Sequence, residues 1–150
     1  MRSIELPELK FSDWYKWDNR NQYVLKGYPG VYLISITDNP RLEGSSPEWK
    51  DVVYIGMTNS MGGLTSRWSQ FLNGIRGKPG HSGGKTIFEN MGNYDNWKEH
   101  LFVAAMGVEC DVKNPMKDDY LKMGWVAYFE YEAFAYYYEN VGGHPRYNKH

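Results

Sequence analysis

The densest apolar runs along the chain are short. Residues 31–36, 52–56 and 100–108 are rich in Val, Ile, Leu, Tyr and Phe, and each is bounded by glycine or turn residues. Runs of this length and composition predict β-strands. Between the first two, Asp38-Asn39-Pro40 and Gly44-Ser45-Ser46-Pro47 mark a long hairpin loop, so these strands are expected to pair antiparallel. Beyond a second loop at 57–63, pivoting on Gly62-Gly63, the pattern changes period. Trp68, Phe71, Leu72 and Ile75 recur at i, i+3, i+4 and i+7, which predicts a helix capped by Thr65 or Ser66. Gly74, Gly77, Pro79 and Gly80 end it, and His81-Ser82-Gly83-Gly84-Lys85 is a glycine-rich turn feeding a short helix to about Met91. Asn114-Pro115 opens a last helix, a cap followed by proline, which runs to Tyr138 with a kink near Gly124 and stops at Gly142-Gly143.

These elements predict an α+β domain, a small central antiparallel three-stranded β-sheet flanked by helices. Residues 1–28 interleave Phe11, Trp14, Tyr15, Trp17 and Tyr23 with charged and amide side chains. They read as an N-terminal aromatic-rich arm packed on a domain at 29–150 rather than as a partner surface, because large aromatics gain most from burial. No internal repeat and no linker divides the chain further.

Composition narrows the classes. A chain of 150 residues with 41% hydrophobic and 17% aromatic content suffices for one core. Seventeen basic against eighteen acidic residues leave a formal charge of -1. That excludes a broadly basic nucleic-acid coat but not a local positive groove. No apolar run is long enough for a membrane span, and Met1–Pro7 lacks the apolar core of a signal peptide. A single cysteine, Cys110, excludes an internal disulfide and reads as a buried inert thiol. A cytoplasmic protein is the expectation.

Several residues sit oddly in this pattern. Tyr32 and Tyr54 lie in strands, where period-2 alternation can turn chosen side chains to one face, and Gly56 after Tyr54-Ile55 permits close approach. Arg67 falls in the first turn of its predicted helix, against the macrodipole, which suits an anionic partner as well as simple solvation. Gly83-Gly84-Lys85 can hold phosphate, though not with the spacing of a Walker loop. Trp125, Phe129, Glu132 and Tyr136 share a helix face, so Glu132 is either a metal ligand or the edge of an apolar stripe.

Taken in order, Gly30-Val31-Tyr32, Tyr54-Ile55-Gly56, Arg67-Trp68, Glu132 and the terminal Pro145-Arg146-Tyr147-Asn148 resemble the GIY-YIG nucleases from about Pro29 to Asn148. The resemblance implies a metal-dependent DNA endonuclease, with DNA as partner and Mg²⁺ (or Mn²⁺) as cofactor. It gives Tyr54 the role of general base or water-orienting group, with Tyr32 beside it. Arg67 would neutralise phosphoryl charge, Glu132 would hold the cation, Asn148 would support the site, and His81 would act on the phosphate or leaving group. Arg76, Lys78, Lys85, Arg146 and Lys149 would contact phosphates. Glu130 and Glu139 compete with Glu132, which is chosen because Ala133-Phe134-Ala135-Tyr136 follows it as in the family's helix. The hairpin and the loop at 57–64 are longer than usual, and Met57, Thr58 and Ser66 stand where many members carry lysine. The small size with internal insertions leans towards a restriction-like enzyme. The alternative is a nucleic-acid-binding or protein-interaction module on the same fold with little catalysis.

Overall fold

The computed structural model describes residues 4–148. Lys149, one of the expected phosphate contacts, lies outside them.

Four strands form one antiparallel sheet: β1 (Tyr15–Lys16), β2 (Gly30–Ile36), β3 (Tyr54–Thr58) and β4 (Leu101–Gly107), in the order β1-β4-β2-β3. Three helices complete the fold: α1 (Gly63–Ile75), α2 (Ser82–Met91) and α3 (Lys117–Asn140). The expected three-stranded sheet therefore gains a fourth strand from the N-terminal arm, with Tyr15 opposite Val103. Two residues are too short to show alternation, so this strand carries no signature of its own.

Alternation along β2 decides what each layer contains. Val31 and Leu33 turn to one face and pack with Ile55, Phe102 and Ala104 against Val126, Phe129, Ala133 and Tyr137 of α3. Tyr32 and Ile34 turn to the other and pack with Tyr54, Val103 and Ala105 against Trp68, Phe71 and Ile75 of α1 and Ile87 of α2. The arm contributes to both layers. Trp14 joins the α3 side, and Trp17 and Tyr23 join the α1–α2 side, all buried. The loop at 37–51 is anchored to that arm by main-chain bonds from Gly44 N–H to the Trp14 carbonyl and from Trp14 N–H to the Ser45 carbonyl, at 2.8 and 2.9 Å.

Other boundaries shift for identifiable reasons. β3 continues through Met57 and Thr58, which pair with Val31 and Gly30, so the loop expected at 57–63 shrinks. The cap of α1 is Gly62 rather than Thr65 or Ser66, which places Arg67 beyond the first turn and removes the expected conflict with the macrodipole. α3 runs unbroken past Gly124. Its start is organised by Asp119, whose carboxylate accepts from the Met116 and Asp111 amides at 2.9 Å each, rather than by Asn114-Pro115. Cys110 is free and half-buried rather than buried. Among the described residues no helix is long and apolar enough to cross a membrane.

After α3 the chain turns back and runs beside β3, the open edge of the sheet. Tyr147 N–H donates to the Val53 carbonyl at 2.9 Å. Asn148 then uses its side chain as a substitute for strand backbone. Its Oδ1 accepts from Ile55 N–H and its Nδ2 donates to the Ile55 carbonyl, both at 2.9 Å. An edge whose polar groups would otherwise stand unpaired is thereby closed.

Candidate active site

Tyr32 and Tyr54 lie on adjacent strands and on the same sheet face, their ring centroids 6.1 Å apart. Two glycines make room for them. Gly56 is the cross-strand partner of Tyr32, and a Cβ there would come within 2.4 Å of the Tyr32 ring. Gly83, in the first turn of α2, lies against Tyr54, where a Cβ would come within 2.4 Å of that ring. The glycine after Tyr54-Ile55 is thus explained by steric fit to Tyr32.

His81 joins the pair from the cap of α2. Its Nδ1 accepts from the Gly84 amide at 3.0 Å, satisfying a helix N-terminal donor. Its Nε2 lies 3.0 Å from the Tyr32 hydroxyl. An amide can only donate, so Nδ1 is bare and the proton of neutral His81 resides on Nε2. Burial, and next the charge of Arg67, lower the His81 pKa to about 4, so the ring is neutral at physiological pH. The direction of the hydrogen bond follows. His81 Nε2–H donates to the Tyr32 hydroxyl, which lies on the same face as the Tyr54 ring.

Charge around the tyrosines comes from two side chains. Burial raises Tyr32 well above the ordinary phenol value, and the charge of Arg67 opposes this. Burial also raises Tyr54, again opposed by Arg67. The charge of Glu130 raises both hydroxyls further, so this carboxylate stands within electrostatic reach of them. Arg67 donates from Nη1 to Gln70 at 2.8 Å, while its Nε is buried with no hydrogen-bond partner among the described residues.

The structure therefore brings Tyr32, Tyr54, Arg67 and His81 together as expected, with Asn148 bracing the strand that carries Tyr54. Glu132 is the exception. The buried stripe of α3 is Val126, Phe129, Ala133 and Tyr137, not Trp125, Phe129, Glu132 and Tyr136. Tyr136 is 41% exposed and stacks on Trp49, ring centroids 6.1 Å apart. Glu132, one turn before Tyr136, lies on that flank, and it is Glu130 whose charge is felt at the tyrosines. Glu139 is exposed near the end of α3. The signal that separates these carboxylates is helix phase. Arg76, Lys78, Lys85 and Arg146 are all exposed, with Arg76 over the Tyr94 ring and Arg146 over the Tyr147 ring.

Among the described residues no three His, Cys, Asp or Glu side chains converge as a ready-made metal cage. The donor offered near the tyrosines is a single carboxylate, Glu130, whose charge acts on both hydroxyls. That composition fits a hard cation such as Mg²⁺, which takes one or two protein carboxylates and completes its shell with water and substrate oxygens. No family model, no curated protein and no solved structure matches the chain.

Proposed function

We propose that this protein is a metal-dependent DNA endonuclease that hydrolyses phosphodiester bonds at the Tyr32–Tyr54–Arg67–Glu130 cluster, in the manner of the GIY-YIG nucleases it resembles. The observation that carries this reading is the packing of two buried strand tyrosines against a helix-capping histidine, with the charges of Arg67 and Glu130 acting on both hydroxyls.

Each residue supplies a distinct part. Arg67 supplies the positive charge that would neutralise the phosphoryl oxygens, the same charge that acts on both tyrosine hydroxyls. A raised phenol is a poor proton acceptor at neutral pH, so Tyr54 acts by orienting the attacking water and not as a tyrosinate base. His81, itself fixed by the Gly84 amide, holds the Tyr32 hydroxyl beside the Tyr54 ring. Glu130 is the carboxylate we assign to a divalent cation, in place of Glu132. When bound, Mg²⁺ or Mn²⁺ supplies charge neutralisation at the phosphate and lowers the pKa of water. Exposed Arg76, Lys78, Lys85 and Arg146 offer phosphate contacts that weaken with added salt.

Incubation with supercoiled plasmid in low salt with Mg²⁺, with and without EDTA, tests this reading. Discrete products that require Mg²⁺ are expected. Binding to plasmid, single-stranded and branched DNA without any cutting would instead favour a binding module, a reading supported by the near-zero net charge and the two raised tyrosines.

A further inference from the structure

Helix α3 is apolar on two opposite sides. One is the stripe through Val126, Phe129, Ala133 and Tyr137 that packs on the sheet. The other runs through Leu121, Gly124, Tyr128, Tyr131, Ala135 and Tyr138, all exposed and spaced by three, four, three, four and three residues. That alternation is the seam of a coiled coil, and it extends about 25 Å along the solvent side of α3. We propose that this seam pairs with itself in a second copy of the chain, the two α3 helices lying antiparallel about a two-fold axis between Tyr128 and Tyr131. The pairing stands apart from the nuclease reading and uses none of its residues.

Area, symmetry and charge select this occupant. Tyr128, Tyr131 and Tyr138 are 49%, 73% and 69% exposed, and Tyr120 beside the seam is 63% exposed. At about 200 Å² a ring these four leave roughly 500 Å² on each protomer, a large patch for a monomer. Two copies would bury roughly 1,000 Å², the size at which specific interfaces begin. The antiparallel register sets Tyr128 against the second copy's Tyr131, Gly124 against Ala135 and Leu121 against Tyr138. Each contact is made twice, as a two-fold interface requires. The small pair lets the helix axes approach between the tyrosines. Lys117 stands at the start of this face and Glu139 at its end, both exposed. Antiparallel pairing brings these two within a turn of each other at both ends, whereas parallel pairing sets Glu139 beside Glu139. The acidic border formed by Glu132 and Glu139 also repels a nucleic-acid backbone.

Sedimentation equilibrium of the full chain over about 1–100 µM should show a monomer–dimer equilibrium and no larger species. Tyr131→Glu sets two carboxylates near the axis and should be monomeric throughout, with an unchanged circular dichroism spectrum. Lys117→Glu and Glu139→Lys should each weaken the dimer about 10-fold, and the two together in one chain should restore it to within a few-fold of wild type. A wild-type monomer at every concentration would overturn the proposal, as would association that continues past the dimer. A dimer retained by Tyr131→Glu would place the contact on another face and overturn it too. A double charge swap that pairs no better than either single variant would overturn the antiparallel register.

Discussion

Asn148→Ala removes the side chain that closes the edge of β3. Asn148 is 7% exposed and makes two bonds of 2.9 Å to the amide and carbonyl of Ile55. Each such bond contributes about 1 kcal/mol net, and a buried donor or acceptor left unpaired costs about 1–3 kcal/mol. Water returns to part of this edge once the side chain is gone, which moderates the sum. A loss of about 2–4 kcal/mol is expected. With a urea m-value of about 2 kcal/mol/M, the unfolding midpoint should fall by about 1–2 M at unchanged m. The Ile55 amide should also lose protection in hydrogen exchange more than its neighbours in β2. Asn148→Asp sharpens the test, since it keeps an acceptor for Ile55 N–H but sets an acceptor against the Ile55 carbonyl. That variant should be destabilised at neutral pH and recover as acidification returns a proton to the new carboxyl. A stability for Asn148→Ala within about 0.5 kcal/mol of wild type, with Ile55 still protected, would refute the edge-closing role.

The glycine opposite Tyr32 makes a second prediction. Gly56→Ala sets a methyl 2.4 Å from a ring packed among Trp68, Phe71 and Tyr54, so overpacking should cost about 1–3 kcal/mol by chemical denaturation and displace the Tyr32 hydroxyl from His81. His81 makes a third. Its folded pKa of about 4 lies below the unfolded value near 6.5, so the unfolded chain binds more protons between those limits. Stability is therefore full above about pH 6.5 and falls on acidification towards pH 4, by up to about 3 kcal/mol. His81→Asn keeps an acceptor for Gly84 N–H and should flatten this part of a urea-midpoint profile measured against pH. A profile unaltered by that substitution would count against a buried neutral His81.

Much of this was legible in the chain. Alternation and flanking glycines located the three long strands, and the i, i+3, i+4, i+7 spacing of Trp68, Phe71, Leu72 and Ile75 located α1, because each pattern records one buried face. The two-residue β1 left no trace, since its place is decided by pairing with Val103 and Phe102 and not by its own sequence. The phase of α3 was the hardest point. From Trp125 to Tyr138 aromatic residues occupy every flank of the helix, so a stripe through Trp125 and Tyr136 reads as well as the true one through Val126 and Tyr137. A shift of one residue turns the helix by about 100°, which is enough to exchange Glu132 for Glu130. The role of His81 as a helix cap was hidden for a different reason. Its partners, Tyr32 and Gly84, depend on α2 docking beside β2 and β3, which no local pattern records.

The assignment of Glu130 is tested most directly by single-turnover cleavage of supercoiled plasmid in Mg²⁺ by Glu130→Gln and Glu132→Gln side by side. DNA binding is measured for both in EDTA. The nuclease proposal predicts that Glu130→Gln binds DNA as wild type does but cuts at least about 100-fold more slowly, while Glu132→Gln cuts within a few-fold of wild type. Wild-type cleavage by Glu130→Gln, or loss of cleavage confined to Glu132→Gln, would contradict it.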